Sequence, residues 1–442
     1  VTAGKASPAG FDRGQVAWAL FDWANQPYFT LILTFIFGPY FAARVVGDTV
    51  AGQAEWGYFQ AMAGLVIAFA SPALGALADA GGKRKPWCAA FAALGVAGAT
   101  GLWLAAPGGD VLQAGLMMAA ATIGFEIAIV FNNAMLACLV APERVGRLSG
   151  FGWGLGYLGG LAALAIMLLG FYLPAEPWLG LDRAAGEDAR ISGPFTAFWF
   201  ILFSAPFFLM TPDRAPRVKS AGGGMLAGLA TLVSTLRHLR RYRRLLRFLM
   251  ARMVYADGLA ALFSFGGIFA AGLFGWGTTQ LGVFGLVTIV FSALGCFPGG
   301  WADDRFGSRA TILAGLAGLI LALVVTLSLR PDGLFFGLIR TTPATGGMTS
   351  PPELVMMAAA ALMGICAGPV QAASRSLMVH LTPPEMSAEF FGLFAFSGKA
   401  TAFVAPFLIG LLTAWTGWQA ISLVVVALFL LAGGLLLRGL KT

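Results

Sequence analysis

Apolar residues in this chain come in long unbroken runs. Twelve stretches, roughly 16–42, 56–78, 87–106, 111–139, 150–173, 194–210, 246–274, 279–301, 310–329, 353–380, 389–413 and 418–438, are apolar along most of their length and are separated by polar loops. A helix of about 20 such residues crosses a hydrocarbon core. In lipid a single segment satisfies its backbone polar groups only as a helix. The pattern predicts an all-α membrane protein with twelve transmembrane helices.

The polar loops hold a second pattern. After segment two stands Gly75-Ala-Leu-Ala-Asp79-Ala-Gly-Gly82-Lys-Arg84, and after segment eight Gly300-Trp-Ala-Asp-Asp304-Arg-Phe-Gly307-Ser-Arg309. Gly75/Gly300, Asp79/Asp304, Gly82/Gly307 and Arg84/Arg309 share one offset of 225 (304 − 79). After segments four and ten, Pro142-Glu143, Gly150 and Gly156 match Pro384-Glu385, Gly392 and Gly398 at an offset of 242 (384 − 142). Both repeats pair six segments with six. They predict two pseudo-symmetric six-helix bundles, residues 1–210 and 246–442, with a linker at 211–245. Internal repeats of this kind characterise transporters.

Composition agrees with the membrane reading. Hydrophobic residues make up 58% and charged residues 11%, against about 25% charged in soluble domains; mean hydropathy is +0.82. The net charge of +8 sits in short loops, as membrane topology requires, and does not indicate a nucleic-acid partner. Lys5, Arg13, Lys83, Arg84, Lys85, Arg144, Arg147, Arg305, Arg309, Arg438 and Lys441 fall on the side of the termini, with the basic run of the linker. Arg44, Arg183, Arg190, Arg330 and Arg340 fall on the other. This bias predicts both termini in the cytoplasm of a bacterial-type inner membrane. Within the linker, Leu226, Leu229, Leu232, Val233 and Leu236 precede Arg237-His-Leu-Arg-Arg-Tyr-Arg-Arg244, the pattern of an amphipathic helix lying on lipid. The Pro/Gly-rich loops 174–193 and 330–352 are expected to be irregular caps. Cys88, Cys138, Cys296 and Cys366 show no C-x-x-C spacing and His238 and His380 stand far apart, so neither a metal site nor a cofactor is expected. No early charged region followed by a short apolar run marks a cleavable signal. Phosphate-loop, H-E-x-x-H and G-x-S-x-G motifs are absent. The expectation is a transporter driven by a gradient, neither an enzyme nor an ATP-driven pump, and working as a monomer among lipids.

Charge within a bilayer is expensive and usually functional. The deep ionisable residues are Asp22 on segment one, Glu126 on four, Arg252 and Asp257 on seven, Arg375 on ten and Lys399 on eleven. Segments one, four, seven and ten are equivalent in the repeat and should line one central cavity. Asp22 and Gln26 share a helical face with Asn25 beside them, as do Glu126 with Asn133 and Gln371 with Arg375. Trp23, Tyr28, Trp153, Tyr157 and Tyr255 add aromatic walls. Together these suit a small polar or zwitterionic solute. The competing reading is internal neutralisation, Asp22 or Asp257 with Arg252 and Glu126 with Lys399 or Arg375. A proton carried by Glu126 or Asp22 is the expected coupling ion. Asp79 and Asp304, each ending a helix, are expected to gate the cytoplasmic side with Arg84, Arg147 and Arg309. A carboxylate there can meet a helix N-terminus of the other half, Asp79 at segment eleven and Asp304 at segment five. The glycines of segment five, Gly152, Gly156 and Gly160, are expected to permit close packing.

The paired loops resemble the signature of the major facilitator superfamily. Trp18-Ala-Leu-Phe-Asp22-Trp-Ala-Asn25-Gln-Pro-Tyr28-Phe, Gln371-Ala-Ala-Ser-Arg375-Ser-Leu and Ala388-Glu-Phe-Phe-Gly392-Leu-Phe-Ala-Phe-Ser397-Gly-Lys399-Ala-Thr are similar to the autophagy-linked vacuolar amino-acid effluxers and their bacterial relatives. The resemblance implies the major facilitator fold and, from the fungal members, amino-acid export. Two positions depart from the superfamily pattern: Ala80 stands where a basic residue is common, and Tyr157 follows Gly156 where antiporters carry proline. The leading expectation is transport of amino acids or short peptides. A bulkier metabolite, drug or siderophore is the alternative within transport; a lipid flippase or a non-transporting receptor are the alternatives outside it.

Overall fold

A computed structural model of the chain describes residues 10–213, Val233 and 242–440. The expected amphipathic linker helix lies outside the described residues apart from Val233 and residues 242–244. Among the described residues, twelve helical spans are long and apolar enough to cross a membrane. They are α1 Arg13–Val46, α2 Thr49–Gly81, α3 Lys85–Leu104, α4 Val111–Leu139, α5 Pro142–Tyr172, α6 Glu187–Met210, α7 Arg243–Phe274, α8 Thr278–Phe306, α9 Ser308–Leu327, α10 Pro351–Leu381, α11 Pro384–Thr416 and α12 Ile421–Arg438.

Local chemistry sets their ends. Asp12 starts α1 with a reciprocal cap to Gln15, and Ser350 with Glu353 does the same for α10. Asp48 caps α2 through the N–H groups of Ala51 and Val50, which hold its carboxyl below the ordinary carboxylate range. Gly82 and Gly275 close α2 and α7 in the left-handed conformation. Past Pro27, α1 loosens into π-type turns over Tyr28–Phe35, the adjustment a proline forces when it removes a backbone donor. Three elements differ from expectation. Loop 174–193 is not an irregular cap to its end, since helix begins within it at Glu187. Loop 330–352 is not irregular throughout: β1 Gly333–Leu334 pairs with β2 Ile339–Arg340 as a small antiparallel hairpin. α11 is not continuous: it breaks between Lys399 and Val404.

The halves meet through glycines of the sequence repeat. A Cβ on Gly75 of α2 would strike the Ala388 carbonyl of α11, and one on Gly392 of α11 would lie 2.6 Å from Pro72 Cα of α2. A Cβ on Gly150 of α5 would lie 2.5 Å from the Cys296 carbonyl of α8, and one on Gly300 of α8 would lie 2.7 Å from the Gly146 carbonyl of α5. Missing side chains bring backbone against backbone, the usual route to close helix contact in lipid. All four contacts lie near the face carrying the paired loops, called here the loop face.

Candidate functional site

Between the halves lies a cavity of about 640 Å³, within the usual size range for small-molecule sites. Its lining comes from α1, α4, α5, α7, α8, α10 and α11. The wall extends from the level of Asp22 and Arg375 to Phe35, Gly267 and Leu281 near the far-face ends of α1, α7 and α8. Its floor is polar and its upper wall is largely apolar, with Phe29, Phe35, Phe263 and Phe284 among the lining residues.

Arg375 organises the floor. Its Nε donates to Ser149 Oγ (2.9 Å), Nη2 to the Ser149 carbonyl (2.7 Å), and Nη1 to Asp22 Oδ2 (2.8 Å) and Asn133 Oδ1 (3.0 Å). The guanidinium also lies over Trp18, 4.8 Å from the ring centroid, so the planar fork is used on its edge and on its face. Gly152 makes room for the pair; a Cβ there would stand 2.6 Å from Asp22 Oδ2. A second ion pair joins Lys399 Nζ to Glu126 Oε1 at 2.7 Å. Each pair links α7–α12 to α1–α6. Gln371 Nε2 donates across the same boundary to Tyr157 Oη, 2.8 Å. Two groups on the wall stay unmatched: Asn25 Oδ1 and Trp153 Nε1 are buried without a hydrogen-bond partner.

Asp22, Asn25, Gln26, Glu126, Asn133, Trp153, Tyr157, Arg252, Gln371 and Arg375 all line this cavity. Four expected ligands lie elsewhere. Tyr28 is fully buried, its hydroxyl on Thr122 Oγ1 (2.6 Å) and the Met118 carbonyl (3.1 Å); two residues past Gln26, it faces the opposite side of α1. Tyr255 bonds Ser374 Oγ at 2.7 Å inside the second half. Asp257 is buried beside Thr401. Lys399 reaches the wall only through Glu126. Of the pairings weighed, Glu126 with Lys399 forms, but Arg252 pairs with neither Asp22 nor Asp257 at ion-pair distance: Arg375 partners Asp22, while Arg252 donates to the Phe394 carbonyl (2.6 Å) and Ser397 Oγ (2.8 Å). The sequence reading missed Ser149 and Trp18. A serine beside repeat glycine Gly150 and an indole four residues before Asp22 were the available signals.

Below the floor the loop face is shut. Asp79 Oδ2 accepts from the Glu389 N–H at 2.9 Å, and Asp79 Oδ1 from Arg84 Nη2 at 2.8 Å. Arg84 extends to the carbonyls of Ala134 (2.8 Å) and Pro384 (2.9 Å). Asp304 accepts from the N–H of Gly146 (2.8 Å) and from Arg147 Nε (2.7 Å). Both carboxylates thus cap the N-terminal turns of helices in the other half. The repeat breaks at its last member: Arg309 donates to the Arg438 carbonyl at the end of α12 and takes no part in the latch. The latches differ in burial, since Asp79 and Arg84 are 2% and 1% exposed whereas Arg147 is 47% exposed. D79N should therefore open the loop face more than D304N. The first strands a buried guanidinium, while the second weakens a pair whose arginine is half exposed to solvent and screened there. Accessibility of Cys296 to a maleimide, in protein whose other cysteines are serine, measures this; equal labelling of both variants and the parent is the contrary result.

Residues 143–441 match the family model described as "Vacuole effluxer Atg22 like". The chain belongs to the Atg22-like family. Among its relatives, an MFS-type transporter of Bacillus subtilis (strain 168), YxiO, is 27% identical over 410 residues, covering 92% of this chain and 90% of that protein. Autophagy-related protein 22 of Saccharomyces cerevisiae (strain ATCC 204508 / S288c) is 22% identical over 325 residues; the match covers 66% of this chain and 58% of the yeast protein. The Atg22-like chain also superposes on the proton:xylose symporter XylE with a TM-score of 0.69 at 13% identity, over 96% of this chain and 94% of that one. Against the human organic anion transporter MFSD10 the TM-score is 0.68 at 17% identity, over 96% and 99%. These likenesses establish the major facilitator fold, and with the family they make this chain a membrane transporter.

Proposed function

We propose that this protein is a secondary active transporter that moves a small zwitterionic organic solute by alternating access. Amino acids and short peptides are the leading solutes and the proton is the coupling ion. One observation carries the reading: both deep ion pairs, Asp22–Arg375 and Glu126–Lys399, join one half to the other at the cavity. A solute bearing its own carboxylate and ammonium can replace the partner each protein group now holds. Binding then loosens the contacts that fix one conformer, which is the differential interaction a conformational switch requires. Asn25 Oδ1 and Trp153 Nε1 supply further polar contacts, and Phe29, Phe35, Phe263 and Phe284 suit an apolar side chain. In this reading the loop face is cytoplasmic, on the bias of basic residues in its loops, so the conformer faces outward. The membrane is a bacterial inner membrane. The names of the relatives are consistent: the family model describes effluxers, and some structural neighbours are proton symporters by title.

Thermal unfolding of the purified protein against amino acids, short peptides and cell-wall fragments identifies the solute. A ligand at a hundred times its dissociation constant should add about 2.7 kcal/mol. Flux of that solute in proteoliposomes should then follow an imposed pH gradient. Stabilisation by bulky apolar compounds alone would overturn the zwitterion reading in favour of a larger metabolite or drug. Flux indifferent to the gradient would remove proton coupling.

A further inference from the structure

The break in α11 lies beside a carboxylate that the cavity does not use. The first piece of α11 ends at Lys399 and the second starts at Val404. Across the gap Ala402 donates to the Lys399 carbonyl (3.3 Å) and Val404 to the Thr401 carbonyl (2.8 Å). These bonds reach three residues back instead of four, so the helical ladder is interrupted within the membrane. Such breaks in transporter helices favour ion sites, because unwound backbone and nearby side chains offer oxygens there. Facing this break is Asp257 of α7, 2% exposed. Thr401 is the hydroxyl beside it, yet neither carboxylate oxygen meets a donor in hydrogen-bonding geometry, nor does Thr401 Oγ1 find a partner. A buried polar side chain without a partner calls for an explanation.

Arg252 supplies it. Five residues before Asp257 on α7, it lies close enough to act on the carboxylate through its charge, and it lines the solute cavity. Its guanidinium holds neutral groups only, the Phe394 carbonyl, Ser397 Oγ and the Phe394 ring at 3.4 Å. Asp22 and Glu126, by contrast, are each tied to a cation at 2.8 and 2.7 Å. We propose that Asp257 is the proton-carrying residue of this transporter, and that its protonation frees the charge of Arg252 for the carboxylate of a solute in the cavity.

The proposal rests on the proton-coupled transport reading above and assigns its proton to a residue. The charges balance at each step. With the cavity empty, Asp257 carries −1 and Arg252 +1. A proton from water adds to one Asp257 oxygen and leaves that side chain neutral, while the solute carboxylate supplies the negative charge beside Arg252. When the solute departs on the other side, Arg252 is left with only Glu126, itself held by Lys399, as a neighbouring carboxylate, and Asp257 returns its proton to water there. Proton and solute therefore bind cooperatively, each raising the affinity for the other. The surroundings favour a proton over a metal cation. From α7 come Arg252 and Tyr255, the latter bonded to Ser374; from α11 come Thr401 and Lys399, the latter bonded to Glu126 of α4. Phe429 and Leu430 of α12 pack on neighbouring Gly258. One carboxylate and one hydroxyl are too few oxygens for a desolvated cation next to a guanidinium.

The test uses the proton itself as probe. In full-length protein in lipid nanodiscs, the carboxyl C=O stretch of protonated acid is followed by infrared difference spectroscopy as pH is varied. The wild type should show a titrating band that D257N loses entirely and that D22N and E126Q retain. R252Q and T401V, which keep the carboxylate and so guard against misfolding of D257N, should each retain the band. R252Q should move its midpoint by about one pH unit or more. A full band in D257N, no titrating band in the wild type, or an unmoved midpoint in R252Q overturns the proposal. The transport reading fails separately, through the absence of solute flux, whichever band is seen.

Discussion

R375Q should abolish solute flux and lower stability by about 3–5 kcal/mol, the usual consequence of removing one member of a buried ion pair. Arg375 makes four hydrogen bonds, and all four go to the other half: two to Ser149 of α5, one to Asp22 of α1 and one to Asn133 of α4. Glutamine leaves Asp22 without its cation at the bottom of a cavity in the membrane. R375K separates charge from shape. It restores a cation for Asp22 but cannot reproduce a planar fork that holds Ser149 and Asn133 together, so it should regain part of the stability and little of the flux. The double variant D22N/R375Q leaves neither charge stranded. It should recover stability beyond the sum of the single changes while remaining inactive. Thermal unfolding of purified protein and flux in proteoliposomes measure the two properties. Wild-type flux in R375Q would reduce the floor to a structural brace.

The second large effect is expected from the crossed glycines. G392V and G300V should drive the population away from the conformer closed at the loop face. In each, the added carbons meet backbone of the opposite half, Ser71 and Pro72 for Gly392, Gly146 and Arg147 for Gly300, and backbone cannot rotate aside as a side chain can. Overpacking of this kind costs about 1–3 kcal/mol, a shift of about 5–150-fold between two states. Cys296 of α8, buried with its thiol against Gly368 of α10 and clustered with Tyr157 of α5, should label correspondingly faster. G64V is the control, because its Cβ has nothing within 4 Å and labelling should not change. Equal rates in all three would mean that helix contact at these glycines does not hold the loop face shut.

Much of this arrangement was readable from the chain. Span number follows from run length, because lipid allows a lone segment only one conformation. The latch carboxylates follow from the repeat, because a duplicated residue stays on the same face of a duplicated helix. The pairing of charges was less readable. Whether Asp22 meets Arg252 or Arg375 depends on the rotation of α7 and α10 about their axes, which spacing within a segment does not encode. Tyr28 was misplaced because it shares a motif with Asp22 although it points the other way around α1. Arg309 was misplaced because the repeat predicts its position but not the free carbonyl at the end of α12 that captures it. The break in α11 has two local signals, Gly398 before it and Pro406 just after it, whose missing N–H leaves the Ala402 carbonyl without its helical donor.

The glycine contacts have a consequence for how such a molecule can be assembled. Gly75 and Gly300 are the same position in the two repeats, and so are Gly150 and Gly392. Yet at these four glycines α2 closes on α11 and α5 on α8, each a partner from the other half. Each six-helix unit therefore presents one donor surface and one receptor surface, and each is completed by its counterpart in the other unit. Two copies of a single six-helix chain, related by a two-fold axis along the membrane normal, would form both contacts at once as a closed isologous dimer. The linker is then a tether between units that already fit. The two halves, expressed from separate genes, should find one another in the membrane.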